Sequence, residues 1–178
     1  EFLRKKTRLN IFIVSFLYFA AIFFFLEAYL MKYFFSYPVK YSWAWQYGYK
    51  HAVQYVTENY SKYDKIIFTK KYGEPHEYVL FYSAWNPSKY INDPYLIRFG
   101  KSNWFWVDGF DKYVFVNDWD IPRRNNNFPL ESGLSVQCSV SSVRCLLITS
   151  PGNFPDGWKK IETINFLDNK PAFEIYEN

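Results

Sequence analysis

The chain has 178 residues, enough for one membrane segment and one domain of about 140 residues. Aromatic residues make up 24% of it, with 17 Tyr, 19 Phe and 7 Trp, a load that core and interface positions must absorb. The net charge is only +4, and Arg4, Lys5, Lys6 and Arg8 all fall in the first eight residues, so the remainder has no basic face of the kind nucleic acid demands, and nucleic acid is excluded as a partner.

In chain order, the basic flank RKKTR leads into Ile11–Leu26, sixteen residues with neither charge nor proline, six of them Phe. Counted from Leu9 to Phe35, with Asn10 tolerated and Glu27 near the far end, the stretch exceeds the roughly 20 apolar residues that span a bilayer. Few basic residues follow it, only Lys32 and Lys40 before the next domain, so the positive-inside rule puts the N-terminal flank in the cytoplasm and the rest outside. Tyr29, Tyr33, Tyr37, Trp43 and Trp45 read as an aromatic belt at the outer interface. A cleaved signal peptide fits less well, because the run is long and no small-x-small cleavage pattern follows. A buried core helix would also be apolar all round, but the basic flank argues against it. The chain opens on Glu, not Met, as the tail of a longer polypeptide would. The expected division is 1–35 for the flank and transmembrane helix and 36–178 for an extracytoplasmic domain.

In that domain, Ser42 can cap a helix whose stripe runs Trp45, Tyr49, Ala52, Val53, Val56 and Tyr60. Ile66–Thr69 reads as a buried strand. Pro75 suits the first turn of a second helix, which Asn86-Pro87 ends. From Ser88 to Gly109 the pattern is irregular, with turns around an aromatic cluster, Trp104–Trp106. Tyr113–Val116 is a second strand, 118–135 a long polar surface loop, and Cys145–Thr149 a third strand. Lys160–Phe166 and Ala172–Tyr176 form a hairpin. The sum is an α/β fold, a compact sandwich with a mixed sheet and a C-terminal β-hairpin behind the N-terminal transmembrane helix.

Chemistry-bearing signals are sparse. No Gly-rich phosphate loop and no GxSxG elbow occurs. His51 and His76 stand far apart and the chain has two cysteines, so no metal pattern and no cofactor is expected. Cys138 and Cys145 either pair, which an extracytoplasmic location permits, or stay as buried or free thiols. Asp108, Asp111, Asp118 and Asp120 crowd the middle of the chain; a carboxylate pair could do acid–base work, but solvated loop carboxylates are the stronger expectation. Trp43, Trp45 and Tyr47 are candidates for contact with a sugar or a lipid, against a plain role as interface anchors. Asn59-Tyr60-Ser61 matches the glycosylation acceptor pattern, a signal often met by chance.

Three runs carry a resemblance: YSWAWQYGYKHAVQYV, YDKIIFTKKYGEPHEYVLFYSAWNPSKY and FPDGWKKIETINFLDNKPAFEIYE. Together they resemble the C-terminal extracytoplasmic region of prokaryotic polytopic membrane glycosyltransferases, the superfamily of dolichyl-phosphate-mannose–protein mannosyltransferases and aminoarabinose transferases. The resemblance covers the membrane helix and nearly all of the domain. It implies a parent enzyme that takes a sugar from a polyprenyl-phosphate carrier and passes it, with inversion, to an acceptor on the outer face. The implied partners are membrane lipid, the transmembrane remainder of the same polypeptide, and a polyprenyl-phosphate sugar or glycan acceptor. The family's acidic catalytic residues lie in an early outer loop that this sequence does not contain, so no residue here inherits a catalytic role. The rival reading is a single-pass anchored module that binds a glycan or peptide; an autonomous hydrolase using Asp118 and Asp120 is the weakest.

Overall fold

The computed structural model of the chain describes residues 2–138 and 143–178, with side chains from residue 11 onward. It divides into two units, Glu1–Tyr41 and Ser42–Asn178. The side chains of the RKKTR flank lie outside the described residues.

The first unit is helical. Helix α1 (Phe2–Met31) passes through a π turn (Lys32–Ser36) into α2 (Tyr37–Lys40). The π turn has a local cause. Pro38 brings no N–H to the ladder, and the Tyr37 N–H reaches back five residues to the Lys32 carbonyl. Helical structure thus runs beyond residue 35, to Lys40. The segment Ile11–Lys40 is long and apolar enough to cross a membrane, and none of its apolar window is buried within the protein. Tyr29, Tyr33 and Tyr37, four residues apart, stack along one face, with ring centroids 5.9 and 6.1 Å apart.

The second unit is an α/β fold around a seven-stranded mixed sheet of order β2-β3-β4-β1-β7-β9-β8. These strands are β1 (Lys65–Thr69), β2 (Ile97–Lys101), β3 (Trp104–Phe110), β4 (Tyr113–Val116), β7 (Cys145–Thr149), β8 (Lys159–Asn165) and β9 (Pro171–Glu177). At the centre β1 runs parallel to both β4 and β7, while β2, β3, β8 and β9 pair antiparallel. The C-terminal hairpin β8–β9 stands where the alternation put it. Helices α3 (Tyr49–Asn59), α4 (Pro75–Tyr82) and α5 (Pro87–Ile91) and a small two-stranded arm, β5 (Asn127–Pro129) with β6 (Ser135–Gln137), complete it.

The central strands are apolar on both faces because both faces are covered. Ile66, Phe68, Phe115, Leu146 and Ile148 join Tyr49, Val53, Val56 and Val79 of the helices in one core. Ile67, Val114, Val116 and Leu147 join Phe128 and Leu130 of the arm in the other. The period of two sorts neighbours to opposite layers, and each fully buried Ile, Leu or Phe side chain contributes about 1.5–3 kcal/mol. Cys138 and Cys145 form a disulfide that ties the end of the arm to the first residue of β7.

Several expectations change. The stripe Tyr49, Ala52, Val53 and Val56 is fully buried, but the helix starts at Tyr49, not Trp45. Gly48 has φ +112°, a conformation that ends helical continuity on its N-terminal side. Ser42 is therefore not the cap; it lies in the preceding turns, where its carbonyl accepts the Tyr47 N–H at 3.0 Å. Asn86 ends nothing. Helix α4 stops at Tyr82, Ala84 takes φ 49°, and the Asn86 side chain caps α5 by accepting from the Ser88 and Lys89 amides. The irregular middle holds the β2–β3 hairpin. The polar stretch 118–135 is no mere surface loop either, because Ile121, Phe128 and Leu130 are buried under the sheet.

Candidate functional site

Two places in the second unit gather polar chemistry. The first lies at the carboxyl ends of the parallel strands. Between neighbours β1 and β4 the chain leaves in opposite directions, β1 into α4 on one face and β4 toward the β5–β6 arm on the other. Such a divergence opens a crevice at the strand ends. Lys70, directly after β1, is drawn into it, with its side chain 5% exposed and its ammonium 2.6 Å from Asp108 Oδ1. Asp108 is wholly buried, and its Oδ2 accepts the Ser132 N–H at 2.6 Å. Glu131 binds Lys70 at 3.4 Å and also Lys101. The Lys101 bond, reinforced by Lys70, holds the Glu131 carboxyl below its ordinary range. Both lysines sit over the Trp106 ring, at 5.5 and 5.9 Å from its centroid.

His76, in the first turn of α4, faces the same charges. Burial, then the nearby Lys70 and Arg98, push its pKa down to about 4. Its Nδ1 lies 3.3 Å from Glu74 Oε2, within ion-pair distance, yet the imidazole is neutral at pH 7 and neither atom has a hydrogen-bond partner. Burial also raises the Glu74 carboxyl. The sign for stability follows. Between pH 6.5 and 4 the unfolded chain protonates this histidine and the folded one does not, so folding weakens as the pH falls through that window. Glu74 works the other way near its own range. Urea unfolding of the intact chain in detergent, wild type against His76→Gln, is expected to show wild type losing about 1–2 kcal/mol more than the variant between pH 7 and pH 5. Equal losses would exclude a buried neutral His76.

The four middle aspartates do not form one site. Asp108 is buried, and Asp118 accepts the Thr69 hydroxyl at 2.8 Å with Lys71 3.7 Å away; neither is the solvated loop carboxylate expected. Asp120 accepts from Asn117 at 3.0 Å. Asp111 sits at the opposite end of the strands, in the β3–β4 turn, and accepts the Tyr60 hydroxyl at 2.6 Å. Among the described residues, no group of three His, Cys, Asp or Glu side chains could hold a metal ion.

The second place is a cleft of about 310 Å³ lined by Trp45, Gln46, Tyr47, Gly48, Lys50, His51 and Tyr82. Two of the three sequence candidates, Trp45 and Tyr47, form its aromatic rim, 68% and 37% exposed. Trp43 is exposed in the same run of turns but does not line the cleft. The floor is rigid for identifiable reasons. Gly48 packs so closely that a Cβ there would stand 3.2 Å from Phe173 and 3.4 Å from the Ala172 methyl. Tyr49 stacks on Tyr78 at 4.2 Å and meets the edge of Phe173 at 4.9 Å. Gln46, held at φ 52°, takes a hydrogen bond from the Tyr78 hydroxyl. Its amide nitrogen lies over Gly73, where a Cβ would come within 3.3 Å.

Sequence reading found the rim but missed Gln46, Lys50, His51 and Tyr82, although five of the seven lining residues fall in WQYGYK, within the first of the runs that carry the resemblance. It also missed Lys70, whose partner Asp108 is 38 residues away. Comparison of the chain with protein-family models, with curated proteins and with solved structures finds no match.

Proposed function

We propose that this chain is the C-terminal part of a membrane glycosyltransferase that moves a sugar from a polyprenyl-phosphate carrier to an extracytoplasmic acceptor. In that enzyme the α/β unit is a non-catalytic accessory domain. One observation carries the reading: the three runs that resemble such enzymes converge on one corner of the fold. WQYGYK supplies Gly48 and Tyr49, the run YGEPHEYVLFYSAW supplies Tyr72 and Tyr78, and KPAFEIYE supplies Ala172 and Phe173. Their rings touch, with Tyr72 5.1 Å and Tyr49 4.9 Å from Phe173. Runs some 30 and 90 residues apart in sequence thus share one three-dimensional motif beneath an open aromatic cleft.

Further support comes from the apolar helix, the basic residues before it and the disulfide. A disulfide persists on the oxidising side of a membrane, and this supports the reading of the domain as extracytoplasmic. Lipid and the remaining transmembrane helices of the parent polypeptide would surround the anchor. The aromatic cleft favours a second reading, a single-pass anchored module for a glycan or peptide.

The deciding experiment has two stages. The encoding reading frame is read upstream of Glu1, and the full protein is assayed in proteoliposomes for transfer from a radiolabelled polyprenyl-phosphate sugar. Several further spans, transfer by the full protein and none by this chain alone are the expected result. A reading frame that adds no further spans overturns the transferase and leaves the binding module.

A further inference from the structure

We infer that the cleft bounded by Trp45, Tyr47 and Tyr82 is a binding subsite for a single anionic sugar ring, a uronate or a hexose phosphate. The inference deepens the accessory role proposed above by naming what the domain holds. Its volume of about 310 Å³ lies at the small end of ligand pockets, which run from roughly 300 to 1,000 Å³. That is room within the cleft for one pyranose with a charged substituent.

The walls divide into two kinds of surface. Trp45, Tyr47 and Tyr82 line it with aromatic rings, and the negative quadrupole of an aromatic face attracts the polarised C–H groups on the apolar side of a pyranose. Trp45 is 68% exposed, so its indole is open to a ring from solution. The polar side is set by Lys50 and His51, next to each other at the start of α3, and by the Gln46 amide that Tyr78 pins. Among the described residues, no carboxylate lines the cleft. This bias matters, because neutral-sugar sites rely on acceptors for hydroxyl groups, and acidic side chains are the strongest acceptors available. With the Lys50 ammonium in its lining and no acid among the described lining residues, the cleft has a potential that favours an anion over a neutral or cationic sugar, and His51 adds a ring nitrogen for hydrogen bonding.

The geometry also explains why the site is preformed. The left-handed Gln46 and Gly48 bend the chain so that Trp45 and Tyr47 flank the first turn of α3. Phe173, Ala172 and Tyr78 leave this bend no room to relax inward. A rigid platform suits a small ligand, since few interactions are available to offset ordering of the protein.

The test uses the intact chain in detergent micelles, titrated with glucuronate, glucose 6-phosphate, glucose and inorganic phosphate. Binding is read by saturation-transfer difference NMR of the ligand protons and by tryptophan fluorescence. For one monosaccharide, a Kd on the order of 1 mM is expected for both anionic sugars. Glucose and inorganic phosphate should each bind about 10-fold more weakly. Trp45→Ala, at an exposed position, should weaken the anionic sugars about 10-fold. Lys50→Gln combined with His51→Gln should weaken them to the level of glucose and leave glucose itself unchanged. Inorganic phosphate binding as well as glucose 6-phosphate, and insensitive to Trp45→Ala, would reduce the cleft to an anion site and overturn the inference. Glucose equal to glucuronate would overturn its charge selectivity, and no response to any sugar at 50-fold the expected Kd of about 1 mM would overturn it entirely. This is a binding measurement on the chain alone, so its failure leaves the transfer assay on the full protein undecided by it, and the reverse.

Discussion

Replacing Lys70 by Met is expected to cost about 3–5 kcal/mol of folding stability, more than removing its partner at the same time. Asp108 has no exposed side-chain surface, and its carboxylate is compensated by the Lys70 ammonium at 2.6 Å and the Ser132 N–H at 2.6 Å. Lys70→Met keeps the length of the stem and removes the charge. The carboxylate is then left in a water-poor site with one neutral donor, since Lys101 is committed to Glu131. The double variant Lys70→Met with Asp108→Leu removes the stranded charge; what remains is the unpartnered Ser132 N–H, about 1–3 kcal/mol. Urea unfolding of the single and double variants in detergent checks the ordering. A single variant within 1 kcal/mol of wild type would mean that water reaches Asp108, and the crevice at the ends of β1 and β4 would then be open, not closed by its own ion pair. The same logic limits what the crevice can do. A ligand there must displace a satisfied lysine–carboxylate network, whereas the aromatic cleft presents its groups already uncovered.

The parts of the fold legible in the sequence are those where local pattern and tertiary environment agree. Ile66–Phe68, Tyr113–Val116 and Leu146–Ile148 read as strands because a sheet covered on both faces needs consecutive apolar residues, and no helical spacing competes. Tyr49, Ala52, Val53 and Val56 read as a helix because their spacing is the helical one. What stayed hidden depends on distant residues. The β2–β3 hairpin presents Trp104 and Phe105 to solvent on both sides of a ribbon, so no apolar–polar alternation marks it. In the β5–β6 arm the buried Phe128 follows three asparagines and Leu130 follows a proline, too weak a signal to separate from a loop. Asp108 and Asp118 read as solvated because a carboxylate in a loop-like stretch normally is. Their burial depends on Lys70 and Thr69, which only the parallel pairing of β1 with β4 brings near. The start of α3 was misplaced by one turn because Trp45 fits the stripe by spacing alone, and the conformations of Gln46 and Gly48 override it.

Breaking the disulfide is the second large effect expected, about 2–3 kcal/mol, from the chain entropy regained when a short loop is opened in the unfolded state. Cys138 and Cys145 are seven apart in sequence and both fully buried. Cys145 opens β7 beside Lys65 of the central strand, and the Cys138 N–H donates to the Asn126 carbonyl at 2.7 Å, just before β5. The bond therefore fastens the arm, with Phe128 and Leu130, onto the face of the sheet opposite α3 and α4. Paired Cys138→Ala and Cys145→Ala substitutions are the cleaner test, because serine would bury two new hydroxyls. Loss should fall on that face first, and hydrogen exchange should rise at Phe128, Leu130 and Val136 before it rises at Val53 or Val56 in α3. Uniform loosening of both layers would show that the arm adds nothing separable. The side of the membrane enters through the same bond. In intact cells, a maleimide should label the two thiols only after reduction and denaturation if the domain lies outside the cytosol. Labelling after denaturation alone, with no reductant, would put Cys138 and Cys145 in a reducing compartment and reverse the orientation proposed for the anchor.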